Sequence, residues 1–154
     1  MNAVRSGAVF GLQIYDIDIG RPIPLPLLRQ HVPAGFPSPA EDFIEAQIDL
    51  QQLLIQNRPA TFLVRVAGDS MVEKGLNNGD LTVVDRSLDP EDGDVVMVDV
   101  DGERSFKVWT RFRGQVNLAF ANRTYPTYVL HPAAEVEVWG VVTSSISVGR
   151  RARR

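Results

Sequence analysis

The sequence after Ala60 consists of short apolar runs separated by turn residues, and this pattern constrains the fold more than any other feature. Asp101-Gly102 is a two-residue turn of the kind that joins antiparallel strands, so the runs on either side of it should form a hairpin. Short strands without intervening helices predict a compact, mainly antiparallel β fold with one or two short helices. We predict strands at 61–66, 80–84, 94–100, 103–109, 115–119 and 136–148, the last with a break.

The N-terminal third has a different pattern, because glycines and prolines exclude a continuous helix before about residue 37. Residues 14–19 are expected to form an edge strand. Residues 23–28 alternate proline with large apolar side chains and predict an extended apolar arm. This arm must either pack on the body of the protein or bind a partner.

Helix-start signals follow the arm. Ser38 is a capping residue and Pro39 suits the first helical position, so a helix should begin near Pro39. Asp49 resembles a second cap, which predicts one broken helix or two short ones ending near Asn57. We expect three regions: a removable arm at 1–34, a β domain at 35–149 and a basic disordered tail at 150–154.

Composition limits the classes of function. The 44% hydrophobic and 23% charged residues are typical of a soluble domain with one core, and the net charge of −3 provides no general field for nucleic acid. Cysteine is absent, which excludes disulfides and thiolate nucleophiles and fits a reducing cytoplasm. No membrane-spanning run or export signal is recognisable, so we expect a cytoplasmic protein without a metal or other cofactor.

Ser70 is the candidate nucleophile. The motif Gly68-Asp69-Ser70-Met71 directly follows a predicted strand and precedes a span long enough for one helical turn. A serine at such a bend is accessible, and the backbone N–H groups of Asp69 and Ser70 could stabilise an oxyanion. The motif by itself is also common in ordinary turns.

A serine hydroxyl needs a base. His31 and His131 have no carboxylate placed to orient them, and Lys74 has the surroundings of a solvated side chain. Lys107 lies in an apolar strand, where burial could lower its pKa from about 10.4 to ~7–8 and yield a neutral amine. The alternative is that the Lys107 side chain points from an edge strand into water.

An ordered set of short motifs runs through the chain from residue 34 to residue 142. The motifs are Ala34-Gly35-Phe36-Pro37-Ser38-Pro39-Ala40, Ile48-Asp49-Leu50, Leu53-Leu54-Ile55-Gln56, Gly68-Asp69-Ser70-Met71, Gly79-Asp80-Leu81, Val84-Asp85, Val100-Asp101-Gly102-Glu103, Lys107 and Gly140-Val141-Val142. In content and order they resemble the UmuD branch of the LexA-type self-cleaving serine peptidases.

This resemblance implies a LexA/signal-peptidase-like fold in which Ser70 is the nucleophile, Lys107 is the general base and the chain cuts itself between Ala34 and Gly35. It also implies stimulation by RecA filaments on single-stranded DNA, a homodimer, and a shortened product that assists a UmuC-type Y-family translesion polymerase in SOS mutagenesis. One residue departs from the pattern: the UmuD type has cysteine where this chain has Ala34. Both side chains are small, so the pocket should accept either.

Other classes of protein are compatible with parts of the pattern. A LexA-type DNA-binding repressor needs a helix-turn-helix, which the proline-interrupted residues before Gly35 do not supply, so direct sequence-specific DNA binding is not expected. A membrane signal peptidase also combines serine-methionine with a lysine base, but needs an anchor. A non-catalytic interaction module with a relic serine and lysine is the alternative that the sequence excludes least.

Overall fold

The computed structural model of the chain describes residues 6–9, 12–15, 20–28 and 44–149. The chain forms two compact units, residues 1–56 and 57–154. The predicted cleavage site at Ala34-Gly35 and the arginine tail at 150–154 lie outside the described residues, so the expected boundaries of arm and tail remain predictions.

The first unit contains two separate antiparallel strand pairs, β1 with β2 and β3 with β4. The expected strand at 14–19 overlaps β2 at residues 14 and 15, while its residues 16–19 lie outside the described part of the chain. The predicted arm is extended as β3. Helix α1 has only five residues, and no helix among the described residues is long and apolar enough to cross a membrane. The bounds are β1 Ser6–Val9, β2 Leu12–Tyr15, β3 Pro24–Leu28, β4 Ile44–Asp49 and α1 Leu50–Leu54.

The helix predicted from Pro39 is wrong over residues 44–49, which form strand β4. Residues 39–43 of that prediction lie outside the described residues. In β4 the side chains of Ala46 and Ile48 are two positions apart, as cross-strand partners of Leu27 and Leu25. Pairing with the extended arm therefore outweighed the local helix signals, since it provides hydrogen-bond partners for the backbone N–H and C=O groups of both segments.

The second predicted cap is confirmed. Asp49 precedes helix α1, and its Oδ1 accepts hydrogen bonds from the backbone N–H groups of Gln51 at 2.8 Å and Gln52 at 3.4 Å. Such a cap satisfies N–H groups that have no partner within the helix. A short helix therefore begins at Leu50, as the sequence indicated.

The second unit is a six-stranded antiparallel sheet with strand order β5-β6-β10-β7-β8-β9. The predicted mainly antiparallel β fold is therefore confirmed. Two short 3-10 turns, Arg58–Ala60 and Val72–Lys74, flank β5. The strands are β5 Thr61–Arg65, β6 Leu81–Asp85, β7 Val95–Val100, β8 Glu103–Phe112, β9 Gln115–Ala119 and β10 Val136–Ile146.

The β7–β8 turn and the long strand β10 can each be compared with the prediction from the sequence. Asp101 and Gly102 have φ values of 52° and 87°, the left-handed conformation that a two-residue hairpin requires, so the predicted β7–β8 hairpin is confirmed. Strand β10 is continuous, but its pairing register shifts between Val138 and Gly140 and again near Ser144. The predicted break therefore takes the form of bulges that bend one long strand.

The hydrophobic core holds the turn that contains Ser70 against the sheet. One buried cluster joins Val66 and Met71, which flank residues 67–70, to Val108 on β8 and Ala121 just beyond β9. Strands β5 and β9 are the two outer strands of the sheet, yet the backbone N–H of Ala121 donates to the Ser70 carbonyl at 2.9 Å. The sheet is therefore curled so that the ends of its outer strands meet.

Candidate active site

Ser70 lies in the turn that leaves β5, one residue before buried Met71. The predicted helical turn after it is confirmed as Val72–Lys74. Gly68 has a φ of 85°, which favours glycine, and its N–H donates to Asn78 Oδ1 at 2.9 Å. Ser70 is thus half-buried on a turn that is fixed on both sides, rather than on a free loop.

Ser70 lines a groove of about 270 Å³. The groove is walled by apolar side chains together with two arginines and Ser105. A cavity of this kind, mostly apolar with a few polar groups, is typical of a ligand or peptide site. Its lining residues are Val64, Arg65, Val66, Ala67, Gly68, Ser70, Met71, Met97, Arg104, Ser105 and Phe106.

The segment after β9 holds the peptide groups on both sides of Ser70. Asn122 Nδ2 donates to the Asp69 carbonyl at 2.9 Å, while the Ala121 N–H donates to the Ser70 carbonyl at 2.9 Å. Tyr125 Oη donates to Asp69 Oδ1 at 2.7 Å. In the part of the chain that the structure describes, the backbone N–H groups of Asp69 and Ser70 have no protein acceptor.

Lys107 is buried on β8, with only 5% of its surface exposed. Its ammonium group donates to Ser105 Oγ at 2.6 Å and to the Phe106 carbonyl at 3.3 Å. The Nζ atom also lies 4.8 Å and 5.0 Å from the ring centres of Phe120 and Tyr128. The alternative of a lysine pointing into water is therefore wrong, because the side chain is buried and its ammonium group is held by protein acceptors.

The burial of Lys107 makes its amine easier to deprotonate than that of an exposed lysine. Burial lowers the pKa of Lys107 below its ordinary value, because the charged form loses hydration. The carboxylate of Glu103 opposes this effect by attracting the ammonium form. The direction of the shift is the one that a lysine base requires.

Ser70 and Lys107 are brought to the same region but are not joined directly. No hydrogen bond links the two side chains among residues 44–149. Ser105 connects them indirectly, because it bonds to Lys107 and lines the groove beside Ser70. Sequence reasoning missed Ser105; its position two residues before Lys107 on one strand was the available signal, since such residues share a face.

Two of the residues that the sequence argued against, His131 and Lys74, make contacts outside this arrangement. His131 is exposed in a loop, where Nδ1 accepts from the Ala133 N–H at 3.2 Å, and His31 lies outside the described residues. Lys74 is exposed and donates to the Gly93 carbonyl at 2.8 Å. Across the described part of the chain, no group of three or more His, Asp or Glu side chains is placed to hold a metal ion.

A curled antiparallel sheet with a serine on a fixed turn and a buried lysine behind the same groove defines a candidate site of the serine–lysine class. Comparison with known proteins agrees with this class. Residues 26–143 match the family model described as Peptidase S24-like. The chain belongs to this family, in which the LexA and UmuD proteins are grouped, and the resemblance found in the sequence is confirmed.

Individual relatives support the same assignment. The chain is 45% identical over 121 residues to Protein SamA of Salmonella typhimurium, covering 79% of this chain and 84% of SamA. It is 36% identical over 123 residues to Protein MucA of Escherichia coli, with the same coverage of 79% and 84%. It is 35% identical over 125 residues to LexA repressor 1 of Xanthomonas oryzae pv. oryzae, covering 81% of this chain and 61% of the repressor. The chain is therefore a peptidase of the self-cleaving serine kind.

Proposed function

We propose that the chain cleaves its own peptide bond between Ala34 and Gly35, with Ser70 as nucleophile and Lys107 as general base. The observation that carries the proposal is the buried Lys107 ammonium, which bonds to Ser105 at the edge of the groove that Ser70 lines. A lysine with a lowered pKa in this position is suited to remove the serine proton.

The proposed reaction has two halves. Ser70 Oγ attacks the carbonyl carbon of Ala34 while its proton passes to the neutral Lys107 amine. The bond to Gly35 then breaks, and the leaving nitrogen takes the proton from Lys107. Water then attacks the resulting ester between Ala34 and Ser70 while its proton passes to Lys107. The bond to Ser70 Oγ breaks, and this oxygen takes the proton back from Lys107, which restores the free serine.

The oxyanion of this reaction needs hydrogen-bond donors. The backbone N–H groups of Asp69 and Ser70 are proposed for this role, which is supported by their lack of a protein acceptor in the described residues. Donors fixed before the reaction stabilise developing charge without a reorganisation cost.

The free edge of β8 supports docking of an extended segment. Strand β9 pairs with β8 only from Val108 to Phe112, so the preceding part of β8 has no partner on that side among the residues that the structure describes. Ser105 and Phe106 in this part line the groove. We propose that the residues around Ala34 bind along this edge as a strand, because main-chain pairing accepts many sequences.

The similarity to the UmuD branch supports a role in the response to DNA damage. We propose that RecA filaments on single-stranded DNA stimulate cleavage in the cytoplasm. The product beginning at Gly35 would act as a homodimer and as an accessory subunit of a Y-family translesion polymerase. Tethering the substrate makes cleavage intramolecular, and a partner that stabilises the docked conformer raises the rate by raising its population.

Mass spectrometry tests the cleavage. Purified full-length chain is incubated at alkaline pH, alone and with RecA filaments, beside the Ser70→Ala and Lys107→Ala variants. We expect the unvaried chain to release a fragment ending at Ala34, faster with RecA, while both variants stay intact. A chain that stays intact under both conditions would instead support the alternative function, a non-catalytic polymerase-interaction module.

A further inference from the structure

We propose that Asn122 is a positioning residue that orients the backbone N–H of Ser70, one of the two proposed oxyanion donors; this inference rests on the peptidase activity proposed above. Asn122 lies in the loop after β9 and is distant from Ser70 in sequence. Its side chain contacts the turn at residues 67–70, here called the nucleophile turn, by the 2.9 Å hydrogen bond from Nδ2 to the Asp69 carbonyl.

The Asp69 carbonyl and the Ser70 N–H belong to one peptide group. A peptide group is planar and trans, so its C=O and N–H point in opposite directions. Holding the Asp69 oxygen on Asn122 therefore directs the Ser70 N–H away from Asn122. The Val72 N–H also donates to this carbonyl, at the longer distance of 3.4 Å, so the side-chain amide of Asn122 provides the shorter of the two bonds that set where the Ser70 N–H points.

The next peptide group is held from the same segment. The Ala121 N–H donates to the Ser70 carbonyl at 2.9 Å. The two peptide groups that flank the Ser70 Cα are therefore both fixed by adjacent residues, Ala121 and Asn122. Fixing both groups restricts the backbone dihedrals of Ser70 and hence the direction of its Oγ.

The orientation of the Asn122 amide is itself determined. Its Oδ1 accepts hydrogen bonds from Thr124, from the backbone N–H at 3.0 Å and from Oγ1 at 2.8 Å. An amide oxygen accepts and the amide nitrogen donates, so these bonds turn Nδ2 toward the Asp69 carbonyl. The loop therefore presents a donor, not an acceptor, to the nucleophile turn.

Tyr125 keeps the same turn free of a competing acceptor. Aspartate side chains readily accept from nearby backbone N–H groups, which would occupy the proposed oxyanion donors. The 2.7 Å bond from Tyr125 Oη holds the Asp69 carboxylate instead. This bond raises the pKa of Tyr125 above its ordinary value, so the hydroxyl remains a donor at the alkaline pH of a cleavage assay.

Arg123 provides a matched control from the same loop. Its Nε pairs with Glu73 Oε1 at 3.2 Å, and its backbone N–H donates to the same oxygen at 3.2 Å. This contact links the loop to the short turn that follows Ser70, but it does not involve either peptide group of Ser70. Loss of the exposed Arg123 side chain should therefore test general loop attachment alone.

The experiment measures self-cleavage rate against pH and thermal unfolding for the full chain and for Asn122→Ala, Asn122→Asp and Arg123→Ala. We expect Asn122→Ala to lower the plateau rate at least tenfold at an unchanged pH midpoint, since one misplaced oxyanion donor costs about 10²–10³ at most. Asn122→Asp should lose as much, because a carboxylate accepts from Thr124 but cannot donate to Asp69. Arg123→Ala should stay within about twofold.

Asn122→Asp preserves the shape of the side chain and is the variant to rely on if Asn122→Ala does not fold. A normal rate in a folded Asn122 variant overturns the inference but leaves the proposed function intact, provided Ser70→Ala is inactive. A shifted pH midpoint in Asn122→Ala, or an equal loss of rate in Arg123→Ala, also overturns it. If the unvaried chain itself does not cleave, the proposed function fails and the inference fails with it.

Discussion

The Lys107 ammonium donates a 2.6 Å hydrogen bond to Ser105 Oγ, and the two residues are separated by one position on β8. Alternate residues of a strand share a face, so Ser105 lies between the buried lysine and the groove. Lys107 is 5% exposed and does not line the groove, whereas Ser105 lines it together with Ser70. Ser105 therefore helps to determine where the lysine nitrogen lies.

The rate of self-cleavage should rise with pH and then level off. Burial lowers the pKa of Lys107, so the neutral amine begins to accumulate below the ordinary lysine value of about 10.4. Below the pKa the neutral fraction grows about tenfold per pH unit, and above it the fraction is constant. Measurement of the first-order rate between pH 6 and 11 checks this. A midpoint at or above 10.4 contradicts a buried lysine base.

Glu103→Gln should move that midpoint to lower pH. The Glu103 carboxylate stabilises the ammonium form of Lys107, so its removal leaves burial less opposed and lowers the pKa of the lysine further. The plateau rate should stay within about twofold, because the neutral amine is unchanged. Glu137→Gln, at an exposed position on β10, is the control and should leave the midpoint in place. An upward shift in Glu103→Gln would count against this account.

Ser105→Ala should slow cleavage about tenfold. The substitution removes the 2.6 Å acceptor, and one hydrogen bond of about 1–1.5 kcal/mol corresponds to roughly that factor. Ser105→Thr keeps the hydroxyl and should retain most of the activity. Ser145→Ala, at an exposed site on β10, is the matched control and should cleave normally. Full activity in Ser105→Ala would show that the lysine is positioned without this bond.

Gly140→Ala should destabilise the sheet. A Cβ at Gly140 would lie 2.7 Å from Val84 Cγ1 and 2.8 Å from the Asp85 carbonyl oxygen, and that backbone cannot move without disturbing β6. We expect the free energy of unfolding to fall by about 1–3 kcal/mol, the usual cost of overpacking. Gly149→Ala has no atom within 4 Å of the added carbon and should change stability little. Denaturant unfolding followed by circular dichroism distinguishes the two.

The strands of the second unit were predictable from local sequence. Each of the six lies within a few residues of its predicted position, and the β7–β8 turn follows from Asp101-Gly102. These predictions succeed because strand pattern and turn chemistry act over neighbouring residues. The segment at 44–49 was not predictable in this way, since its strand depends on pairing with residues 24–28.

The candidate site also contains some residues that the sequence predicted and others that only the structure revealed. Ser70 and Lys107 were found from residue type, surroundings and motif order, and the structure adds the burial of Lys107 and the groove beside Ser70. Ser105 and Asn122 were not found, because a hydroxyl or an amide has no distinctive sequence context. The Asp69 partner of Asn122 becomes visible only when the loop after β9 meets the turn after β5, whereas Ser105 has its partner Lys107 on its own strand.

Sequence by itself determined the strand pattern of the second unit, the cap at Asp49 and the family, and it predicted the two residues of the proposed dyad. These depend on side-chain chemistry and on spacing along the chain, which the sequence contains in full. Only the tertiary structure decided that Lys107 is buried, that its ammonium group donates a hydrogen bond to Ser105 Oγ, and that Asn122 holds the peptide group between Asp69 and Ser70. The burial of Lys107 and the contact of Asn122 with Asp69 arise from residues far apart in the chain, which are brought together when the sheet curls and its outer strands meet.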